Sequence, residues 1–325
     1  MTAISRIEPL RAVEGGRVTL YGSGFPVEEL TPVTIGGAVA RVAFASPTRV
    51  IVTVPPDVEG GQTPLRVRGA SGGAAFLSIG SLWATGLHQV DNPVFDSSGN
   101  LYVTYSGPRG QEAPVSIFRV TREGTREPFA SGIVNATSMV FGPDGKLYVS
   151  SRFEGAVYRV SADGTHETVA TDLGVACGLA FDADGWMYVG DRSGTIFRVR
   201  DGAAMAFATV PPSVAAFHLA MSPSGSLYVA APTLGSYDHV YRVGRLGDVS
   251  ALPATFGRPQ GLALGPDGAL HVVDALAGSS GVYRLASDDD ASPQLVVSGG
   301  ALVGLAFGPS GELAVVSNES AYRFD

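Results

Sequence analysis

Three arginines head the residues able to do chemistry. Arg152 (in YVSSRFEG) and Arg192 (in YVGDRSG) stand at matching places in two similar segments, and Arg258 (in FGRPQG) belongs to a third. A guanidinium is planar, permanently charged and presents a fork of donors, which suits the two oxygens of a carboxylate or phosphate. Cys177 is the one cysteine, so an internal disulfide and a thiolate zinc cage are both excluded. As a nucleophile it would need a nearby base and a lowered pKa. No Gly-x-Ser-x-Gly elbow and no Cys–His spacing accompanies it. The histidines, His88, His166, His218, His239 and His271, occupy unlike positions. Asp191 and Asp274 end the segments YVGD and HVVD, where a carboxylate can cap the following loop. Asp288, Asp289 and Asp290 read as a solvated turn, without the spacing of a calcium loop.

The chain around these residues has 325 positions, 43 of them glycine, with 45% hydrophobic and 16% charged residues. So few charges exclude a long charged coiled coil, and so much apolar content excludes a disordered chain. The net charge of −8 argues against a duplex nucleic acid, which needs a basic footprint. No run approaches the ~18 apolar residues of a membrane helix. The N-terminus lacks an apolar stretch of signal-peptide length and carries Glu8 and Glu14 early. The expectation is a soluble, cytoplasmic chain with no nucleic-acid or membrane partner. A secreted protein trimmed of its leader would read the same way.

One block recurs six times: NPVFDSSGNLYV, SMVFGPDGKLYV, GLAFDADGWMYV, HLAMSPSGSLYV, GLALGPDGALHV and GLAFGPSGELAV. Its turn glycines, Gly99, Gly145, Gly185, Gly225, Gly268 and Gly311, are spaced by 40 to 46 residues. Each block is followed by a short run ending in arginine and an apolar residue, with Arg119, Arg159, Arg198, Arg242, Arg284 and Arg323 at the equivalent place. Each unit predicts strand, tight turn, strand, loop, strand, turn, strand, with Asp-Gly and Ser-Gly supplying the positive φ of the hairpin. Four strands per ~40–45 residues is the period of propeller blades, so the expected fold is all-β with a six-bladed β-propeller. The sixth unit ends without a fourth strand. The segment from Trp83, WATGLHQVDNPVF, matches FASGIVNATSMVF from Phe129 position for position. Residues 77–86 are therefore expected to be the outer strand that closes the ring, leaving no unpaired edge.

Residues 1–76 have another texture, short alternating strands between Gly, Pro and Ser turns. Ile7, Pro9, Gly15-Gly16, Val18, Leu20, the Gly22-Ser23-Gly24-Phe25 turn, Ile35-Gly36-Gly37 and the strand Val50–Pro55 carry a resemblance to the IPT/TIG immunoglobulin-like family. The resemblance implies a small sandwich at 1–76 acting as a spacer or interaction module, ahead of a propeller at 77–325.

The PDG-L-Y-V turns and GLAF strands resemble the NHL-repeat group and the senescence-marker-protein/gluconolactonase group. In the gluconolactonase-like enzymes, the resemblance implies, a Glu, two Asn and an Asp just before the inner strands hold a divalent metal at one mouth of the channel. Oxygen ligands suit Ca²⁺, Mg²⁺ or Zn²⁺ there. The ring position in this chain holds Asp91, Thr137, Cys177, Phe217, Gln260 and Val303. Asp91 matches in kind, Cys177 and Phe217 replace the asparagines, and Gln260 replaces the aspartate. One carboxylate and one amide make a poor cation site, so no metal and no cofactor are expected. The alternative is one divalent cation such as Ca or Zn near Asp91.

A residue used once per blade serves the blade, whereas a site breaks the symmetry. The third-strand arginines are thus read as structural. Loops after the second strand and before the first open on one face, which gathers Arg152, Arg192 and Arg258 with the longer loops PTLGSYDHV and SGPRGQEAP, the latter carrying Arg109 and Glu112. The expected function is non-catalytic recognition of a small anionic molecule or a protein partner by Arg152, Arg192 and Arg258, with Phe217, Tyr237, His88 and Asp91 as walls. Local neutralisation of the arginines by Asp191, Glu154 and Glu112 is the competing explanation. The alternative function is a gluconolactonase-like lactone or ester hydrolase with an altered site at Asp91, His88, Cys177 and Gln260, with His218 the neighbour to watch.

Overall fold

The computed structural model describes residues 2–27, 32–70, 75–215 and 217–325; positions 71–74, within the first expected domain, lie outside the described residues. All described regular structure is β-strand. The repeats fold as antiparallel meanders in chain order, from an inner strand outward. The inner strands are Val94–Phe95, Ala136–Phe141, Ala176–Phe181, His218–Met221, Pro259–Leu264 and Leu302–Phe307. Second strands such as Leu101–Thr104 and Met187–Asp191 are buried at every residue. Both faces of a second strand meet a neighbouring sheet, so period-2 alternation gives way to a continuous apolar run. The hairpin after each inner strand turns on a left-handed glycine, for example Gly145 (φ 72) and Gly185 (φ 79), a conformation costly for other residues.

Five repeats form separate four-stranded sheets. The fifth repeat in chain order does not stand alone, contrary to the expectation of six equivalent blades. Its strands Pro259–Leu264, Leu270–Asp274, Gly281–Leu285 and Gln294–Ser298 continue into the N-terminal strands as one twelve-stranded sheet. The stitch is the two-residue strand Arg11–Ala12, parallel to Ala75–Ile79 on one side and to Gln294–Ser298 on the other. Val13 N donates to Ser298 O at 2.9 Å, and the Val13 side chain packs with Val273, Val282, Val297 and Leu302. The immunoglobulin-like part, cored by Val18, Leu20, Ile35, Val52, Leu65 and Leu77, is therefore not clearly separate from the propeller.

The outer strand of the last sheet is Ser81–Thr85, antiparallel to Ser320–Phe324. Residues 77–79 of the expected span belong instead to Ala75–Ile79, paired with Gly61–Val67. The chain changes sheets at Gly80, where a Cβ would come within 2.9 Å of Val13 and Phe324 side chains. Trp83 is buried and donates its indole N–H to Thr121 O at 3.1 Å.

Inner strands of all six repeats line a cavity of about 440 Å³ at the hairpin-turn end of the channel. Among the described residues no helix is long and apolar enough to cross a membrane.

Candidate functional site at the channel mouth

The opposite end of the channel is built from the segments that lead into the inner strands. Asp91 precedes the first of them and is buried. Gln89 pins it, with Nε2 donating to Asp91 O at 2.7 Å and Oε1 accepting from Thr104 N at 2.6 Å. Asn92 crosses toward the axis, donating to Leu262 O at 2.8 Å and accepting from Leu305 N at 3.0 Å. Gly261 and Gly304 leave the room, since a Cβ on either would collide with Asn92.

Asp91 Oδ1 is in hydrogen-bond contact with Nδ1 of His218, a pair joining the first and fourth repeats. His218 is 0% exposed, and its Nε2 is buried with no hydrogen-bond partner. Sequence reasoning put Phe217 at this ring position, and the structure corrects it by one residue. In the second and third repeats the inner strand bulges, between Ala136 and Met139 and between Ala176 and Leu179. In the fourth, His218 pairs regularly with Ala230. A bulge changes which face a side chain takes. Phe217 therefore turns between the sheets and covers Gly190, whose Cβ would clash with its ring. It is fully buried and forms no mouth wall. A clue was present: the place of His218 is held by Ser138, Gly178, Gly261 and Gly304 in four other repeats.

Cys177 is also buried, and burial, with Asp91 adding to it, pushes its thiol up to about 12. A thiol so protonated is no nucleophile at neutral pH. Gln260 is buried too. The altered catalytic set Asp91, His88, Cys177 and Gln260 thus lacks an activated nucleophile. The donors do not fit the cation that the gluconolactonase resemblance implies either. Asp91 Oδ1 is held by His218 and by Asn92 N at 2.6 Å, the thiol is neutral, and Phe217 is turned away. Among the described residues no three His, Cys, Asp or Glu side chains gather in a metal-holding group.

Above this floor stand Arg152 and Arg192, on the loops that follow Leu147–Ser151 and Met187–Asp191. Arg152 is half-buried; burial lowers its pKa first, and the like charges of Arg192 and Arg109 lower it further. Burial, and then the Arg152 charge, also lower the pKa of His88, so this imidazole is neutral at pH 7. His88 sets its ring edge-on to Tyr105 at 5.9 Å.

Among the described residues, the competing neutralisation by Asp191, Glu154 and Glu112 forms no ion pair with Arg152, Arg192 or Arg258. Glu154 accepts from the Tyr158 hydroxyl at 2.9 Å, and Asp191 caps Val175 N at 2.7 Å and holds Ser193. Each third-strand arginine, Arg119, Arg159, Arg198, Arg242, Arg284 and Arg323, has a carboxylate partner. Among the described residues, Arg109, Arg152, Arg192 and Arg258 have no ion pair. Arg192 donates to Val214 O at 3.0 Å and leaves a buried Nε without a partner. Arg258 is exposed; only its backbone is fixed, N to Asp274 Oδ1 at 2.7 Å. Tyr237 is 68% exposed on its loop. The structure thus brings Asp91, His88, Cys177, Arg152 and Arg192 together, adds His218 and Arg109, and leaves Arg258 and Tyr237 on the rim. The Asp288–Asp290 run lies in a turn between the third and fourth strands as expected, with Asp289 exposed, and Asp288 also accepts from Tyr228 at 2.6 Å and Arg242 at 3.0 Å.

With this geometry in hand, the chain can be set beside known proteins. Residues 3–81 match the family model "IPT/TIG domain", and residues 178–199 match "Strictosidine synthase-like, N-terminal". No curated protein matches the chain in sequence. An auxiliary nutrient binding protein from Bacteroides thetaiotaomicron is 13% identical with a TM-score of 0.59, over 99% of this chain and 97% of that one. A candidate gluconolactonase is 18% identical with a TM-score of 0.56, over 74% and 90%. Virginiamycin B lyase from Staphylococcus aureus is 14% identical with a TM-score of 0.53, over 75% and 86%. At such identities these are likenesses of fold: an all-β chain with a propeller arrangement and an IPT/TIG domain match at its N-terminal end.

Proposed function

We propose that the channel mouth binds a small organic anion, bearing a carboxylate or phosphate, between Arg152 and Arg192. The fold is shared by proteins named for binding and for catalysis, so the residues of the site must carry the reading. The observation that carries it is the contrast between the two sets of arginines. Six third-strand arginines are matched to carboxylates, while among the described residues Arg109, Arg152 and Arg192 at the mouth have no ion pair; Arg192 keeps a buried Nε without a partner, as Arg198 does on its blade. A buried donor without an acceptor costs about 1–3 kcal/mol, which an oxyanion would recover. In this proposal the fifth repeat counts as a blade of a six-membered ring, since its inner strand lines the same channel as the others. The IPT/TIG part then serves as a spacer docked on that blade.

Calorimetry with a panel of carboxylates and phosphates tests the reading. Arg152→Ala and Arg192→Ala should each weaken binding about tenfold or more, the equivalent of ~1.5–3 kcal/mol per charged hydrogen bond. Arg284→Ala, on a blade, should leave it unchanged. No anion preference in the wild type would refute the proposal.

A second reading has one observation in its favour, the carboxylate-bound His218 with a free Nε2. An imidazole oriented by a carboxylate can act as a general base. Turnover of a lactone or ester panel, insensitive to chelator and lost in His218→Gln, would support a hydrolase; no turnover would leave the binding protein.

A further inference from the structure

We infer that the mouth face docks a protein segment in which acidic residues alternate with large apolar ones, an inference that rests on the anion-binding reading of the same arginines. The loops before the inner strands and after the second strands share this face, as the antiparallel meanders require. They expose Phe153, Val214, Leu234, Tyr237 and Leu276, with Phe153 at 53%, Tyr237 at 68% and Leu234 at 91%. Elsewhere on the same sheets the turns of the opposite end expose Leu246, and the outer strands expose Leu82, Met205 and Val249. Scattered apolar side chains need no explanation, but five on the loops of one face, beside its cations, mark an interaction surface.

Three of these side chains are seated beside a mouth arginine. Phe153 follows Arg152 and lies over Gly110, next to Arg109, where a Cβ would be 2.8 Å from its ring. Val214 accepts the Arg192 guanidinium through its carbonyl. Leu276 covers Gly257, next to Arg258, with 2.6 Å between its Cδ1 and an added Cβ. The face therefore carries both cations and apolar groups from the second repeat to the fifth. Aromatic residues and arginine are the types enriched where proteins bind proteins. Its complement is a chain that carries both carboxylates and apolar side chains, as an alternating sequence does. A small anion would meet the arginines and leave the apolar rim in water.

The test uses fluorescence anisotropy of a labelled peptide alternating Glu or Asp with Leu or Phe, the same peptide with Ser at the apolar positions, and inorganic phosphate as competitor. The alternating peptide should bind at least tenfold tighter than the Ser version. Phe153→Ser combined with Leu234→Ser should weaken it by a similar factor while leaving phosphate affinity unchanged. Arg152→Ala should weaken both ligands, and Leu246→Ser neither. Equal binding of the two peptides, or indifference to the rim substitutions, overturns the docking surface. Phosphate binding with no peptide binding sinks the docking surface alone, and loss of both sinks the anion site as well.

Discussion

Removing either member of the Asp91–His218 pair should destabilise the protein, and removing both should cost less than the sum. The pair joins the first and fourth repeats, with His218 at 0% exposure and Asp91 at 2%. Asp91→Ala leaves an imidazole with neither nitrogen bonded, since Nε2 has no partner to begin with. His218→Phe keeps the ring volume and leaves a buried carboxylate held only by Asn92 N at 2.6 Å. Breaking a buried pair on one side costs about 3–5 kcal/mol, because an uncompensated group stays behind. Replacing both partners with apolar groups can be nearly neutral. The double variant should thus unfold no more easily than the milder single, with a coupling of at least ~2 kcal/mol. Equilibrium unfolding in urea, followed by tryptophan fluorescence and circular dichroism together, measures it; the two probes must coincide for the free energies to be valid. Additive single effects, with coupling below ~0.5 kcal/mol, would show that the two side chains act independently and refute the cross-channel pair.

Three further outcomes follow from the same geometry. Gly190→Ala should lower stability by about 1–3 kcal/mol through its clash with Phe217, and Phe217→Leu should restore part of the loss; no effect in thermal melts would mean that Phe217 does not lie there. Cys177 should resist a thiol reagent at pH 8 in the native protein and react once per chain in denaturant, because its thiol is buried and raised to about 12. Burial lowers the pKa of His271 below its ordinary 6.5, so the unfolded chain takes up a proton first. Stability contributed by neutral His271 is therefore complete above pH 6.5 and lost as pH falls below it, and His271→Gln should flatten the acid side of a stability-against-pH curve.

The repeat period, the turn glycines and the match of the Trp83 and Phe129 segments were legible because each rests on local backbone chemistry repeated along the chain. Arg11–Ala12 was not: a two-residue strand has no periodicity, and its partners lie in two different sheets. That is why the N-terminal part looked separable. The ring position failed at one repeat for a similar reason. A bulge needs a partner strand to be defined, so the sequence cannot show that the fourth inner strand lacks the irregularity of the second and third, and Phe217 and His218 exchange places. The arginines were readable as breaks in the repeat pattern. Their lack of carboxylates was not, because Asp191 and Glu154, near in sequence, are taken by Val175 N and Tyr158.

The most direct test of the central claim is calorimetric titration of wild type, Arg152→Ala and Arg192→Ala with a panel of mono- and dianionic carboxylates and phosphates at two salt concentrations. The account predicts that the wild type prefers anions over their neutral esters. It also predicts that affinity falls with salt, as at an open charged mouth, and that each substitution lowers affinity about tenfold or more. Wild-type affinity retained in both variants, or equal binding of anion and neutral ester, would contradict it.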